Sequence, residues 1–517
     1  MKFSEMDILQ IQEKGLTTSE VEEQIKIFKR GNIKVDIRKA ATLGDGIFQY
    51  SEAEKKDLIH HYEREMNQLD LIKFVPASGA ATRMFKALHN FVYEFNPGEE
   101  SLREYLDRKE NQKLQHFFTD VEKLPFYGEA LKAAKSNNPE YDDLSTDEQQ
   151  LELVKNMLYS EGLHLSDYPK GLVPFHRYGD HTATAFEEHL FEASKYLKSG
   201  GVAKLHFTVA EGDKEKFKAE FDRIKDRLEE ETHTRYEISY SYQNPKTDTI
   251  ALDDHFEPFR TEEDRLFFRP GGHGALIENL NEQDADLAFL KNIDNVVTEK
   301  NVGEVVEYKK MLGGKLLKLQ QQIFHFLKSL DKEETSDELI EEIVEFQDRE
   351  LFIKPAPGFK DLSAGEKREF LREKLNRPLR ICGMVKNEGE PGGGPFLVKG
   401  EDGEISLQII EGAQIDNDNP EQVKIAKEAT HFNPVDIICG LRNYNGEGFD
   451  LHKYVDPNMS FIADKTKDGK PLKALERPGL WNGGMAHWNT VFVEIPVSTF
   501  NPVKTVADLL KQSHQVS

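Results

Sequence analysis

The chain has 517 residues, 68 of them basic and 93 acidic, for a formal net charge of −25, and 38% are hydrophobic, including 33 Phe and 16 Tyr. That length suggests about three domains, the aromatic content excludes a disordered chain, and the charge repels nucleic acid and anionic membranes. The only two cysteines, Cys382 and Cys439, give no CxxC pair, so a disulfide framework and a zinc site are excluded and a reducing compartment is expected.

The N-terminal stretch MKFSEMDILQIQEK lacks the basic-then-apolar order of a signal peptide. No apolar run approaches the roughly 18 residues of a membrane span. The expected location is the cytoplasm, with no membrane, nucleic-acid or protein partner indicated. Residues 1–70 read as a polar, helical segment in which Ile8, Ile11, Val21, Ile25 and Phe28 fall at helical spacings around a turn at Gly15. His60 and His61 in SEAEKKDLIHHYE read as a solvated helix surface.

Residues 71–379 read as an α/β core. LIKFVPASGAATRMFKAL is a strand, a small-residue loop and a helix; VAKLHFTVA is a strand; GDKEKFKAEFDRIKDRLEEE is a helix with Phe217, Phe221, Ile224 and Leu228 on one face. YEISYSYQ, LFFR and DLAFLKNID continue a strand-rich alternation that predicts a largely parallel sheet with crossovers. Acidic helical insertions near 96–166 and 313–374 interrupt it. Residues 380–517 return to strands joined by Gly- and Pro-rich turns and complete the active site.

Four segments carry candidate chemistry. In Ser78-Gly79-Ala-Ala-Thr82-Arg83, backbone amides of a small-residue loop can approach phosphate, a helix N-terminus favours anions, and Arg83 matches phosphate geometry; a tight strand-to-helix turn accounts for the same residues equally well. The spacing of Arg83 and Lys86 excludes a Walker A loop. Pro169-Lys170-Gly171 is a surface loop or a phosphate contact. In Arg269-Pro270-Gly271-Gly272-His273-Gly274, backbone without side chains can press on a planar base, or simply begin a helix. Asn292-Ile293-Asp294-Asn295 ends an apolar strand, where ligands and metals gather in open α/β sheets, and where an Asp also caps turns. The Gly389–Pro395 turn is either a sugar-pocket wall or a surface turn.

The order of these pieces resembles the UTP-dependent sugar-1-phosphate uridylyltransferases, the UDP-glucose and UDP-N-acetylhexosamine pyrophosphorylases. SGAATRM resembles their GGxGT[RS]xG loop, with Gly79, Thr82 and Arg83 matching and Ser78 and Ala81 replacing glycines. Pro169-Lys170 resembles the Pro-Lys element, SYSYQNP places Gln243 at the base-reading Gln, PGGHG resembles the PxGHG loop, and Asp294 falls on the metal-binding Asp of N-x-D-N. LQIIEGAQI, HFNPVDIICGL and FNPVKTVADLL are similar to three C-terminal elements, bringing in Glu411, Asn433 and Lys504. The chain also resembles a bacterial domain-of-unknown-function family.

The resemblance implies a Rossmann-like nucleotide-diphosphosugar transferase core, α/β with a mixed, mostly parallel sheet and helical insertions. It implies nucleotidyl transfer from a nucleoside triphosphate, UTP favoured, to a sugar-1-phosphate, with Mg2+ as cofactor. Arg83, Lys170 and Lys504 would then be catalytic and Asp294 the metal ligand. Ser78, Gly79, Thr82, Gln243, Gly271, Gly272, His273 and Gly274 would bind nucleotide, and Glu411 and Asn433 the sugar. The departures in the glycine loop leave two alternatives open: an atypical ATP-dependent kinase or ATPase, and a non-catalytic nucleotide-sugar binder.

Overall fold

Short apolar strands such as Leu287–Leu290 are buried at every position, the pattern of strands covered on both faces. The computed structural model describes residues 3–332, 336–390, 392–467 and 469–516. The chain divides into two compact units, each built from separated stretches of sequence: 1–74, 241–290 and 308–497 in one, 75–240, 291–307 and 498–517 in the other.

The first unit contains strands in the order Thr42–Leu43, Gly46–Phe48, Asn489–Glu494, Leu379–Lys386, Ile437–Gly440, Leu287–Leu290 and Leu71–Pro76. Parallel pairing dominates; Ile437–Gly440 alone runs antiparallel to both of its neighbours. The expected α/β class with a mixed, mostly parallel sheet is therefore what the chain forms. Its core includes Ile72, Phe74, Leu290, Cys382, Ile437 and Phe492. Cys382 and Cys439 are free and buried, and burial pushes the Cys382 thiol up to about 11, away from thiolate chemistry. A three-stranded antiparallel sheet of Ile37–Ala40, Gly394–Lys399 and Ile405–Ile410 adds a smaller layer. An antiparallel four-stranded sheet joins Phe268–Arg269, Thr249–Leu252, Lys470–Glu476 and Phe461–Lys467.

The second unit is mostly helical. Its strands Val202–Val209 and Arg235–Tyr242 flank the helix Lys214–Thr232, whose Phe217, Ile224 and Leu228 are buried. The first expected insertion contains the helices Leu102–Asp107, Gln112–Asp120, Tyr127–Asn137 and Thr146–Leu158. Ser101 and Ser145 start two of these through reciprocal caps with Glu104 and Glu148, each satisfying N–H groups that the helix itself cannot. The second insertion contains Asp337–Phe346 and Ala364–Leu375, with residues 333–335 outside the described residues.

Two expectations need correction. Residues 1–70 are helical over Glu5–Glu13, Thr18–Arg30 and Glu52–Glu65, but they also hold three short strands, because Ile47 and Phe48 find parallel partners in Phe492 and Val493, far along the chain. His60 is exposed as expected, whereas His61 is buried, with Nδ1 2.9 Å from Arg64. Among the described residues no helix is long and apolar enough to cross a membrane.

Candidate functional site

In the second unit, four segments far apart in sequence are tied together by backbone hydrogen bonds. The strand Leu71–Pro76 runs into the loop 77–80, and Ala77 donates its N–H to Thr208. The loop ends in a 3-10 turn, Ala81–Arg83, before the helix Lys86–Glu94. Lys170 donates its N–H to Gly79 O at 3.0 Å, and Ala81 donates to Tyr168 O at 2.9 Å. The Thr82 hydroxyl donates to Ser166 O at 3.2 Å. The glycine loop and the Pro-Lys element are thus paired as a two-residue bridge, Ala80 against Pro169. Gly79, Thr82 and Arg83 are exposed, and Ser78 is half-buried. A Cβ added at Gly79 would meet nothing within 4 Å, so packing does not demand a glycine there.

The Lys170 ammonium reaches Asp294 Oδ2 at 2.6 Å, with the two side chains 16% and 20% exposed. Asp294 is held by the helix Ala185–Tyr196 on one side: His189 Nε2 donates to Ile293 O at 3.1 Å, and Lys291 forms a fully buried pair with Glu192 at 2.6 Å. On the other side runs the C-terminal segment. Val503 donates its N–H to Asp294 O at 3.1 Å, Asn501 donates to Asn295 Oδ1 at 2.8 Å, and Val506 donates to Met84 O at 3.1 Å. Lys504 is exposed one residue beyond the Val503–Asp294 bond, its ammonium 5.9 Å from the Phe500 ring centroid. Ser78, Gly79, Thr82, Arg83, Lys170, Asp294 and Lys504 all belong to this unit. The arrangement offers cations and backbone amides to an anion, with one carboxylate among them. Among the described residues no group of three His, Cys, Asp or Glu side chains is disposed to hold a metal. Asp294 fits an ion that takes one carboxylate and fills its other positions with phosphate oxygens and water, which is how magnesium is commonly held.

Gln243, the PGGHG loop, Glu411 and Asn433 belong to the first unit. Gln243 is half-buried, one residue beyond the strand Arg235–Tyr242. A Cβ at Gly271 would lie 2.8 Å from Thr247 O, and one at Gly274 would lie 2.5 Å from Arg477 Cβ, so close packing accounts for both. Gly272, at φ 57, leaves its Cβ position open. His273 stacks on Trp481 with ring centroids 5.0 Å apart and planes 17° apart, and burial lowers its pKa. Burial raises the Glu411 pKa, opposed by a hydrogen bond from the Trp481 side chain. Asn433 is buried with both ends of its amide engaged: Nδ2 donates to Gly383 O, and Oδ1 accepts from Val435 N, both at 3.0 Å. That amide shapes the turn at Val435, whose φ is 61.

Sequence reasoning misses two clusters. One is the Trp481 stack; both tryptophans of the chain fall in the glycine-rich stretch WNGGMAHW, a signal that could have marked it. The other, in the second unit, has no local signal. His176 Nδ1 lies 2.7 Å from Glu188 Oε1 and its Nε2 2.9 Å from His514 Nδ1, and Tyr178 donates its hydroxyl to Glu188 at 2.8 Å. Burial pushes Glu188 up to about 8 and His176 and His514 down to about 3.

Among solved structures, the chain is similar to UDP-glucose pyrophosphorylase from Leishmania major at 12% identity, covering 98% of this chain and 79% of that one with a TM-score of 0.43. It is similar to the uridine diphosphate N-acetylglucosamine pyrophosphorylase from Trypanosoma brucei at 11% identity, 95% and 74% coverage and a TM-score of 0.45. It is also similar to a UDP-glucose phosphorylase from Trypanosoma brucei at 12% identity, 98% and 77% coverage and a TM-score of 0.43. A search of curated proteins finds no significant match. The family model for a domain of unknown function (DUF4301) matches residues 4–515, and the chain belongs to that family.

Proposed function

We propose that this chain is a nucleotidyltransferase that joins a nucleoside triphosphate, UTP favoured, to a sugar-1-phosphate. The observation that carries the reading is the Lys170–Asp294 pair at 2.6 Å, bonded through backbone to the Gly79 loop on one side and to the Val503–Lys504 segment on the other. Three motifs read independently as phosphate-side elements supply one cluster.

In the reaction, a phosphate oxygen of the sugar-1-phosphate attacks the α-phosphorus of the triphosphate. A new P–O bond forms, the bond from the α-phosphorus to the bridging β-oxygen breaks, and pyrophosphate leaves with that electron pair. No proton transfer and no protein nucleophile are needed. Catalysis therefore consists of holding two anions in line and neutralising charge. Arg83 and Lys170 bind the leaving pyrophosphate, Lys504 neutralises charge near the transferred phosphoryl group, and the loop at Gly79 admits phosphate to its backbone. Asp294 holds magnesium, which when bound neutralises phosphate charge and polarises the reacting centre. Gln243, Gly272 and His273 recognise the base.

The test is a screen of nucleoside triphosphates against sugar-1-phosphates for pyrophosphate release. Release that requires both reactants supports the reading. ATP hydrolysis without a sugar phosphate would mean an ATPase, and tight nucleotide-sugar binding without pyrophosphate exchange would mean a non-catalytic binder.

A further inference from the structure

We propose that Trp481 is a positioning residue for sugar recognition, its ring backing His273 of the base loop and its indole N–H holding the Glu411 carboxylate as an acceptor for sugar hydroxyls. The proposal rests on the nucleotidyl-transfer reading and extends it to the part of the substrate that the phosphate cluster does not touch.

Each end of the Trp481 side chain has a defined task. Its face lies against His273 at 5.0 Å between centroids, nearly parallel. Its N–H hydrogen-bonds to Glu411. The backbone is fixed as firmly: Trp481 O accepts from Arg380 Nη1 at 2.6 Å, and Arg380, completely buried, also donates through Nε to Thr490 Oγ1 at 2.8 Å. A guanidinium taken out of water is costly unless its N–H groups are used, and here two of its bonds anchor this turn.

The surrounding glycines are shaped around the same contacts. A Cβ at Gly479 would fall 2.1 Å from His273 Nε2, so only glycine lets the imidazole reach the tryptophan. A Cβ at Gly393 would stand 2.4 Å from Ile409 Cγ2 and 3.3 Å from Glu411 Oε1, so the carboxylate sits against bare backbone. Next to Trp481, Asn482 is 1% exposed, its Oδ1 accepting from Gly483 N while Nδ2 is buried without a hydrogen-bond partner. An acceptor carboxylate and an unspent amide donor beside an aromatic ring suit a polyhydroxylated ligand, whose hydroxyls both donate and accept.

The experiment uses the full chain and three probes: UMP, UDP-glucose and UDP-N-acetylglucosamine. Binding is measured by calorimetry and by tryptophan fluorescence. The chain has two tryptophans, so Trp488→Phe leaves Trp481 as the single reporter. Trp481→Phe keeps a ring against His273 and removes the N–H. It should leave UMP affinity within about twofold and weaken the tighter-binding nucleotide sugar at least tenfold. Glu411→Gln, which leaves the tryptophan in place, should show the same split. Trp481→Leu should weaken all probes, because the base loop loses its backing. A Trp481→Phe variant that keeps the full sugar increment, or one that weakens UMP and nucleotide sugar equally, overturns the proposal in favour of a packing role. Wild-type protein that binds UMP and the nucleotide sugars equally overturns it while leaving the nucleotide reading intact. Wild-type protein that binds none of the three removes both.

Discussion

Lys170 and Asp294 stand 124 residues apart in sequence and 2.6 Å apart in space. Neither is fully buried, so each remains open to exchange its partner for a ligand. A triphosphate arriving with magnesium supplies that exchange: phosphate oxygens for the ammonium, the metal for the carboxylate. Lys170→Met and Asp294→Asn should each lower turnover by about 10²–10³-fold, as expected when a preorganised charge is removed. Each should cost roughly 1–3 kcal/mol of stability, between the values of exposed and buried pairs. The double variant, measured by denaturant melts and pyrophosphate release, should recover stability without recovering activity. Recovery of both, or single variants with unchanged turnover, would reduce the pair to a structural contact.

Gly79 gives a test in which stability and activity separate. Its φ is not in the left-handed region and a Cβ there meets only open space, so Gly79→Ala should change stability by less than about 0.5 kcal/mol. The same methyl group stands where phosphate must approach the loop backbone. Turnover per bound substrate should fall at least about tenfold, because a small displacement of a reacting group is enough to lose alignment. A variant with wild-type kinetics would mean that phosphate does not approach the loop here.

The base preference is read by thermal shift. A ligand that binds only the folded chain raises its melting temperature in proportion to the logarithm of concentration over Kd. UTP or UDP-glucose should give a larger shift than ATP at equal concentration. Equal shifts from all nucleotides would falsify the uridine assignment while leaving nucleotidyl transfer to another base.

The buried cluster around Glu188 makes stability depend on pH. Its folded pKa lies near 8, against an ordinary value of 4.5. The folded chain therefore keeps a proton that the unfolded chain has released, so this contribution is fully present below 4.5 and is lost as pH rises through 8. His176 and His514, held near 3 against an ordinary 6.5, act in the opposite direction: their contribution is present above 6.5 and is lost as pH falls through 3. Glu188→Gln removes the first effect. Relative to wild type it should gain stability between pH 5.5 and pH 9, by up to a few kcal/mol at about 1.4 kcal/mol per pKa unit. A difference in melting temperature that is the same at both pH values would contradict the buried, protonated carboxyl.

What could be read from sequence follows from range. Strands such as Val202–Val209 and helices such as Lys214–Thr232 announce themselves because their periodicity is local. Motifs placed just after strands are equally visible, since Asp294 must follow Leu290 closely wherever the chain goes next. The bond between Gly79 and Lys170 is not visible, because a helical insertion separates them and nothing in either motif names the other. His61 shows why burial escapes a single-helix view: it lies next to the exposed His60, and only the packing around the helix decides which of the two is covered. The His176–His514 contact joins residues 338 apart and leaves no pattern in either neighbourhood.

Lys504 is the most exposed of the proposed catalytic contacts and gives the sharpest test. The segment carrying it is fixed beside Asp294 by the Val503 N–H and the Asn501–Asn295 bond. Behind it, the capping box that begins at Thr505 turns the chain, with Asp508 Oδ2 accepting from the N–H groups of Lys504 at 2.9 Å and Thr505 at 2.6 Å. The backbone is therefore held while the ammonium is left in solvent over Phe500. A side chain so placed adds little to stability, and Lys504→Met should melt within about 0.5 kcal/mol of wild type. If the ammonium meets charge that develops only as the phosphoryl group transfers, kcat and kcat/KM should fall together, by about 10²-fold or more, with KM nearly constant. Asp508→Asn tests the same segment through its anchor. It keeps the lysine but weakens the turn, and should lower kcat less than Lys504→Met does while lowering the melting temperature more. Steady-state kinetics and thermal melts of both variants decide the matter. A Met variant with unchanged kcat would return Lys504 to a solvated turn and remove the C-terminal segment from the reaction.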